Sequence, residues 1–324
     1  MRHVLPLLLL AAPALAQEAE RPVLRVLTYD SFVSEWGPGP AIEAAFEARC
    51  GCDLRWEAGG DGAALLARLA LEGEGAADVV LGLDTNLVEA ARATGLFAPH
   101  GIEAEFDLPV AWEDDMFLPF DWGWFALVGR AGGPTPRSFR ELAASDATLL
   151  IQDPRSSTPG LGLVLWIEAA YGDEAPALWA DLADNIVTVT PGWSEAYGLF
   201  LEGEADLVLS YSTSPAYHLL AEGDEGFVAL PMEEGHYLQV EVAGMLAATP
   251  VPDLARDFLS FMLSEDFQGV IPTTNWMYPA VTPEAGLPEG FESMRPARTL
   301  LFSPEEAAAR RDAAVAAWRA ALSR

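Results

Sequence analysis

Lysine is missing from this 324-residue chain, and all 18 of its basic residues are arginine. Without lysine, the chain cannot form a lysine Schiff base, supply a phosphate-loop lysine or use a Ser-x-x-Lys nucleophile. Its 49 acidic residues leave a net charge of −31 at pH 7. A field of that sign repels nucleic acid and attracts cations, so we expect no nucleic-acid partner.

Long apolar runs are also scarce. One short run over residues 4–10 follows Arg2 and His3, and Ala14-Leu15-Ala16 fits a small-x-small cleavage site. This pattern predicts a signal peptide over residues 1–16, with a signal anchor as the alternative. No later stretch approaches the roughly 18 apolar residues that span a bilayer, so we expect export without membrane insertion of the mature chain.

Cysteine and histidine are equally rare. Cys50 and Cys52 are the only cysteines, and His100, His218 and His236 follow the signal segment without metal-ligand spacing. An oxidising compartment would permit the two cysteines to pair, but their spacing does not decide it. We therefore predict neither a metal site nor a catalytic thiol.

The familiar catalytic and nucleotide-binding motifs are absent. The chain has no Gly-x-Ser-x-Gly, His-Glu-x-x-His, Gly-x-Gly-x-x-Gly or phosphate loop. Acidic pairs such as Asp114-Asp115 are typical of a solvated face in so acidic a chain, and no pair stands out as a glycosidase centre. The sequence thus predicts no catalytic residue and no cofactor, and favours binding over turnover.

Strand-like and helix-like segments alternate along most of the chain. Two such series, joined by long extended segments near residues 116–128 and 236–245, predict two α/β lobes with parallel sheets. Ligands of such sheets bind beyond the carboxyl ends of the strands, so we expect a cleft between the lobes at the strand-to-helix junctions.

Three of these junctions carry surplus polar residues. Residues 156–160 (SSTPG) and 212–215 (STSP) each place hydroxyls and a proline at a predicted helix start. Such a start is either an ordinary capped helix or an anion site, and the sequence leaves both readings open. At the third junction, Asp61 is expected to cap a helix, the alternative being contact with a cationic group of a ligand.

Aromatic residues stand at several strand ends and turns. A ligand platform there would stack on a flat heterocycle or face a cation, whereas burial in the core is the ordinary alternative. We assign Trp166, Trp179 and Trp318, which lie on predicted helices, to the core. The junction aromatics are Tyr29, Trp36, Trp193, Tyr211, Tyr217 and Trp276.

Seven blocks in order along the chain closely resemble the periplasmic thiamine-binding proteins of bacterial ABC importers, and the resemblance extends from about residue 22 to 324. The blocks are LTYDSF (27–32), WGPGP (36–40), QDPRSSTPGLG (152–162), GWSEAY (192–197), LSYSTSPAYH (209–218), EGHYLQVE (234–241) and IPTTNWMYP (271–279).

The resemblance implies a two-lobed α/β protein with the type II periplasmic-binding-protein fold and the ligand cleft between its lobes. The first part of lobe 1 is then expected over residues 17–125, lobe 2 over 126–242, and a return to lobe 1 with the C-terminal helices over 243–324. A Cys-x-Cys pair also occurs in the family at this place, which implies a local disulfide between Cys50 and Cys52.

The implied function is capture of thiamine, with its mono- and pyrophosphate, in the periplasm and delivery to the permease and ATPase subunits of an ABC importer. A monomer that is not an enzyme is expected. Two alternatives remain at this point: a binding protein for another cation (a polyamine or Fe(III)), and a thiamine-processing enzyme.

The resemblance also implies a set of ligand-binding residues. Asp61 would accept from the aminopyrimidine, the aromatic residues would stack on the rings, and the hydroxyls would hold the alcohol or phosphate tail. The positions carried over are Asp61, Gly62, Ser157, Thr158, Trp193, Tyr211, Ser212, Thr213 and Ser214; Tyr29, Tyr217 and Trp276 are added as further expected contacts.

Overall fold

The computed structural model describes residues 21–323, so the predicted signal peptide lies outside the described residues. Strands occupy β1 Val23–Thr28, β2 Asp53–Ala58, β3 Val79–Asp84, β4 Phe97–Ala98, β5 Leu118–Arg130, β6 Leu149–Gln152, β7 Ile186–Thr190, β8 Leu207–Tyr211, β9 Phe227–Ala229, β10 His236–Leu246, β11 Tyr278–Pro279 and β12 Thr299–Leu300.

The helices fill the connections between strands, as the alternating pattern predicts. They are α1 Gly39–Cys50, α2 Gly62–Glu72, α3 Val88–Ala93, α4 Phe139–Ala143, α5 Thr158–Tyr171, α6 Ala175–Leu182, α7 Trp193–Leu201, α8 Ser214–Tyr217, α9 Pro252–Phe261, α10 Glu265–Gln268 and α11 Pro304–Leu322. Shorter helical turns occupy Gly172–Glu174, His218–Glu222, Ile271–Asn275 and Phe291–Met294.

The strands form a continuous mixed sheet in the order β2-β1-β3-β10-β5-β8-β6-β7. The strands at the two ends of this order pair in parallel, whereas β10 and β5 pair antiparallel with each other and with their outer neighbours β3 and β8. The parallel pairing predicted for the two α/β series is thus present at both ends of the sheet, and the long central strands that join the series run antiparallel to their neighbours. A strand buried on both faces reads as a continuous apolar run in either direction, so its pattern does not encode orientation.

This topology directs several strand ends toward one place. Strand β1 belongs to the parallel set at one end of the sheet, and β6 and β8 belong to the set at the other end. They end at Thr28, Gln152 and Tyr211, close to where α2, α5, α7 and α8 begin. The core beneath them is rich in large side chains, and Trp166, Trp179 and Trp318 are buried in it as expected.

Two further features complete the described chain. Cys50 and Cys52, at the end of α1 and just before β2, are joined by a disulfide in agreement with the implied pairing. Within residues 21–323, no helix combines the length and the apolar character needed to cross a membrane.

Candidate ligand-binding cavity

A cavity of about 490 Å³ opens where the strand ends and helix starts converge. Nine of the twelve predicted ligand-binding residues line it, and Ser157, Ser212 and Thr213 do not. The lining residues are Tyr29, Ser31, Trp36, Asp61, Gly62, Thr158, Pro159, Trp193, Ser194, Tyr197, Gly198, Leu201, Tyr211, Ser214, Tyr217, Ala221, Glu241, Thr273, Asn275, Trp276 and Met277.

Asp61 precedes α2, but its carboxylate does not cap that helix. Its Oδ2 accepts hydrogen bonds from the Ser157 hydroxyl (2.6 Å) and the Trp193 backbone N–H (3.0 Å). The capping interpretation was therefore wrong, because donors at the starts of α5 and α7 compete successfully for the charged oxygen. The Asp61 carboxylate thereby links the starts of α2, α5 and α7. Its contact with Trp193 joins residues that are 132 positions apart in the sequence.

Gly62 and Thr158 make a second link between the same helix starts. The Gly62 N–H donates to the Thr158 hydroxyl at 3.1 Å. A β-carbon at position 62 would lie 2.6 Å from that hydroxyl oxygen and 2.7 Å from the carbonyl oxygen of Gly82. Such distances are shorter than van der Waals contact, so only glycine permits this approach.

The hydroxyls at the other two junctions also fail to cap their own helices. Neither Ser157 before α5 nor Thr213 before α8 makes a side-chain cap hydrogen bond. The Ser157 hydroxyl donates to the Asp61 carboxylate instead, and the Thr213 hydroxyl donates to the backbone carbonyl of Trp276. Both residues are fully buried and act behind the cavity wall, where they position residues that do line it.

Trp276 forms part of the wall in an unusual backbone conformation. Its φ of 56° lies in the left-handed region, which costs a non-glycine residue roughly 1–2 kcal/mol. The Thr213 contact and a hydrogen bond from the Trp276 N–H to the Ile271 carbonyl hold it there. Tyr217 meets its ring edge to face, with centroids 5.5 Å apart.

The opposite aromatic wall is built around Trp193. Its Nε1–H donates to the Ser210 hydroxyl (2.8 Å), and its ring stacks on Tyr197 with centroids 5.0 Å apart. Trp36, which is 54% exposed, also approaches the Trp193 indole, with ring centroids 6.4 Å apart. The Ser210 hydroxyl is also hydrogen-bonded to that of Ser214, so a chain of hydrogen bonds fixes the position of the Trp193 ring.

Ser212 is the predicted contact that the structure places furthest from its expected role. It is 3% exposed and faces a separate cavity that includes Pro215, Leu230 and Arg295. Ser212 follows β8 in the turn that leads to α8, and Tyr211 and Ser214 on either side of this turn line the ligand cavity instead.

The floor of the cavity contains residues that the sequence analysis missed. Tyr29 donates from its hydroxyl to Glu241 (2.9 Å), and the Asn275 amide donates to Tyr29 (2.8 Å) and to Asp121 (2.6 Å). Glu241 and Asp121 lie on β10 and β5 among buried apolar neighbours. An acidic residue inside an otherwise apolar strand is the signal that could have identified them, because such burial is costly unless it serves a purpose.

The acidic groups at the cavity have perturbed ionisation. Burial raises the pKa of Asp61 to about 6, although its bonds with Ser157 and Trp193 act in the opposite direction. Burial raises the pKa of Asp121 to about 8 and that of Glu241 well above its ordinary value, the mutual repulsion of the two carboxylates adding to the effect at Glu241.

The lining therefore combines two carboxylates with five tyrosine and tryptophan rings from the predicted set, and no arginine or histidine of residues 21–323 belongs to it. Carboxylates and aromatic faces both attract cations when water is excluded. Flat walls also suit a planar heterocycle. The chemistry of the cavity thus matches a small, planar, positively charged organic molecule.

Comparisons with known proteins agree with this reading. The family model for bacterial extracellular solute-binding proteins matches residues 39–272. The thiamine-binding periplasmic protein of Escherichia coli K12 is 54% identical over 333 residues, which covers 100% of both chains.

Solved structures are similar in the same way. One described as a periplasmic thiamin binding protein superposes with a TM-score of 0.91 at 53% identity, covering 94% of this chain and 97% of the other. Iron-bound HitA from Pseudomonas aeruginosa reaches a TM-score of 0.75 at 19% identity over 93% and 99% of the two chains, and this likeness concerns the fold alone.

Proposed function

Since the chain belongs to the family of bacterial extracellular solute-binding proteins, we propose that it captures thiamine in the cavity described above. It is a periplasmic protein with the type II periplasmic-binding-protein fold. Thiamine is a small molecule with a flat aminopyrimidine and a permanently positive thiazolium, which is the class of ligand that the lining favours.

The pairing of carboxylates with aromatic walls carries this proposal. Asp61 and Glu241 both line the cavity and lie on different elements, so a cation between them would face negative charge from two directions. Trp193, Tyr217 and Trp276 supply ring faces of the size of the two heterocycles. A cation over an aromatic face gains up to about 2 kcal/mol when it is desolvated.

Phosphate esters of thiamine are part of the proposal, and they would use the helix-start end of the cavity. The starts of α2, α5 and α7 meet there at Gly62, Thr158 and Trp193. Helix starts favour anions through their backbone N–H groups and dipoles. Asp61 already accepts from two donors at this point, so a bound phosphate would share or replace its hydrogen bonds.

We also propose that the protein binds without turnover and passes its ligand to the membrane subunits of an ABC importer. The two cysteines are tied to each other in a disulfide, so neither is available as a nucleophile for splitting thiamine. The two lobes are proposed to follow the expected limits of 17–125 with 243–324, and 126–242. We propose that the protein acts as a monomer.

A thermal-shift series tests the ligand. A ligand that binds only the native state raises the melting temperature, and at about 100 times its dissociation constant it adds about 2.7 kcal/mol of stability. Thiamine, spermidine and ferric citrate would be compared at equal concentration. We expect a shift with thiamine that exceeds the other two, together with unchanged thiamine in the recovered ligand fraction. A shift with spermidine or iron alone would overturn the proposal.

A further inference from the structure

Three carboxyl side chains stand in one row across the middle of the sheet. In the register of the antiparallel pairs, Glu241 on β10 is opposite Asp84 on β3 and Asp121 on β5. Directly opposed residues share a face of the sheet, so these carboxyls are neighbours. Asp84 and Asp121 are fully buried, and Glu241, at 6% exposure, is the member that reaches the cavity.

Asp84 is satisfied locally and differs from the other two. Its carboxylate accepts from the backbone N–H of Asn86 at 3.1 Å and from the Asn86 side-chain amide at 2.8 Å. Asp121 has the Asn275 amide on one oxygen, whereas its buried Oδ1 has no hydrogen-bond partner in the described part of the chain. An unpartnered oxygen beside a second carboxyl is a natural place for a proton.

Within the residues that the structure describes, the groups that face this pair from the neighbouring elements carry no positive charge. Tyr29 follows β1, Asp84 ends β3, Tyr211 ends β8, Gln239 lies on β10 and Asn275 lies in the turn before β11. Gln239 donates to both Glu241 and the Tyr211 hydroxyl at 3.0 Å, and its own buried Oε1 has no hydrogen-bond partner among residues 21–323. Two carboxylates in such surroundings cannot both be ionised at low cost.

We propose that Asp121 and Glu241 share a proton in the ligand-free protein and release it to solvent when cationic thiamine enters the cavity. The thiazolium supplies the positive charge that the surrounding groups lack, so the pair ionises fully only in the complex. Proton and ligand then compete for the same pair of carboxyls. This inference rests on the proposed function and adds Glu241 and Asp121 to its specificity-determining residues.

Exchange of a proton for the cation has two physical consequences. The empty cavity avoids burying two charges, which keeps the ligand-free protein stable and discourages small inorganic cations. Thiamine affinity should also rise with pH while the free pair titrates, because each proton released gives roughly a tenfold gain per pH unit by linkage. The raised pKa of both groups, caused mainly by burial, places this rise near and above neutral pH.

Calorimetric titration of the mature protein with thiamine tests the release directly. At pH 7.5, binding heats would be compared in phosphate and Tris, whose ionisation enthalpies differ widely. We expect the heats to differ by an amount that corresponds to roughly one released proton, and the affinity to rise between pH 6.5 and 8.5. Equal heats in both buffers, with tight thiamine binding, would overturn this inference while leaving the proposed function intact.

Variants locate the source of the proton. Glu241→Gln and Asp121→Asn should each reduce the buffer difference and the pH dependence, and the variant that carries both substitutions should abolish them. Asp61→Asn is the matched control, because Asp61, with a pKa of about 6, is already ionised at pH 7.5 and should leave the release in place despite weaker binding. If Asp61→Asn alone removes the release, the pair is not its source. If wild type binds no thiamine, it is the proposed function that fails.

Discussion

The two ends of the cavity handle a buried carboxylate in opposite ways. At the helix-start end, Asp61 accepts from a hydroxyl and a backbone N–H, and its pKa is raised only to about 6. At the strand floor, Glu241 lies beside Asp121, and burial and repulsion raise the pKa of Glu241 well above its ordinary value. The first end presents a standing negative charge at neutral pH, and the second gains its charge when a cation arrives.

Their different surroundings account for this contrast. Helix starts supply N–H donors and positive dipole ends, which stabilise an anion without any counter-ion. The floor is made of long central strands whose backbone groups take part in sheet pairing, and the donors to its carboxyls are the side chains of Tyr29, Gln239 and Asn275. Similar residue types therefore acquire different roles from the secondary structure that carries them.

Removing the negative charge of Asp61 should have the largest effect on thiamine affinity. Asp61→Asn loses a charge-assisted interaction worth about 1.5–3 kcal/mol, so thiamine affinity should fall by roughly ten- to a hundredfold in a calorimetric titration. Glu195→Gln is the matched control, because Glu195 is a nearby exposed acid in the first turn of α7 and is not part of the lining. Similar losses in both variants would mean that the effect is one of general surface charge.

The buried carboxyls of the cavity floor should make the stability of the ligand-free protein depend on pH. A carboxyl with a raised native pKa stabilises the fold fully below its unfolded pKa of about 4, and this contribution is lost as pH rises through the native pKa. With native values of about 7 for Asp84 and about 8 for Asp121, the melting temperature of wild type should fall between pH 5.5 and 8.5.

Asp121→Asn should make that fall smaller by a few degrees, since it removes one of the groups responsible. Differential scanning calorimetry of both proteins across this pH range gives the comparison. Parallel curves for variant and wild type would show that Asp121 does not hold a proton in the native state.

The smallest effect is expected at the Thr158 hydroxyl. Thr158→Ala leaves the Gly62 N–H without its acceptor and removes one hydroxyl from the phosphate end. Because a neutral hydrogen bond contributes about 1 kcal/mol, thiamine pyrophosphate should bind about fivefold more weakly, and thiamine itself should change less. Equal losses for the two ligands, measured by fluorescence titration, would place the phosphate tail away from this end.

The sequence alone predicted much of the fold and part of the site. Strands β5 and β10 occupy the extended segments predicted near residues 116–128 and 236–245, because a long apolar run is a local signal. The direction of the central strands β5 and β10 could not be predicted from the local sequence. It depends on which strands pair, and the apolar pattern is the same for both orientations.

Side-chain roles were harder to predict than side-chain positions. Asp61 and Ser157 do stand at helix starts, but each satisfies the other instead of its own helix. That contact joins residues 96 positions apart, so no local rule could have indicated it. Glu241 and Asp121 were missed for a different reason: they are two of 49 acidic residues, and only their position inside apolar strands distinguishes them from the rest.

A crystal structure of the thiamine complex would test the central assignment most directly. We predict one thiamine in the cavity, with its rings against Trp193, Tyr217 and Trp276 and its positive thiazolium facing at least one of the carboxylates of Asp61 and Glu241. Thiamine bound outside this cavity, or with the thiazolium directed to solvent and away from both carboxylates, would contradict the account.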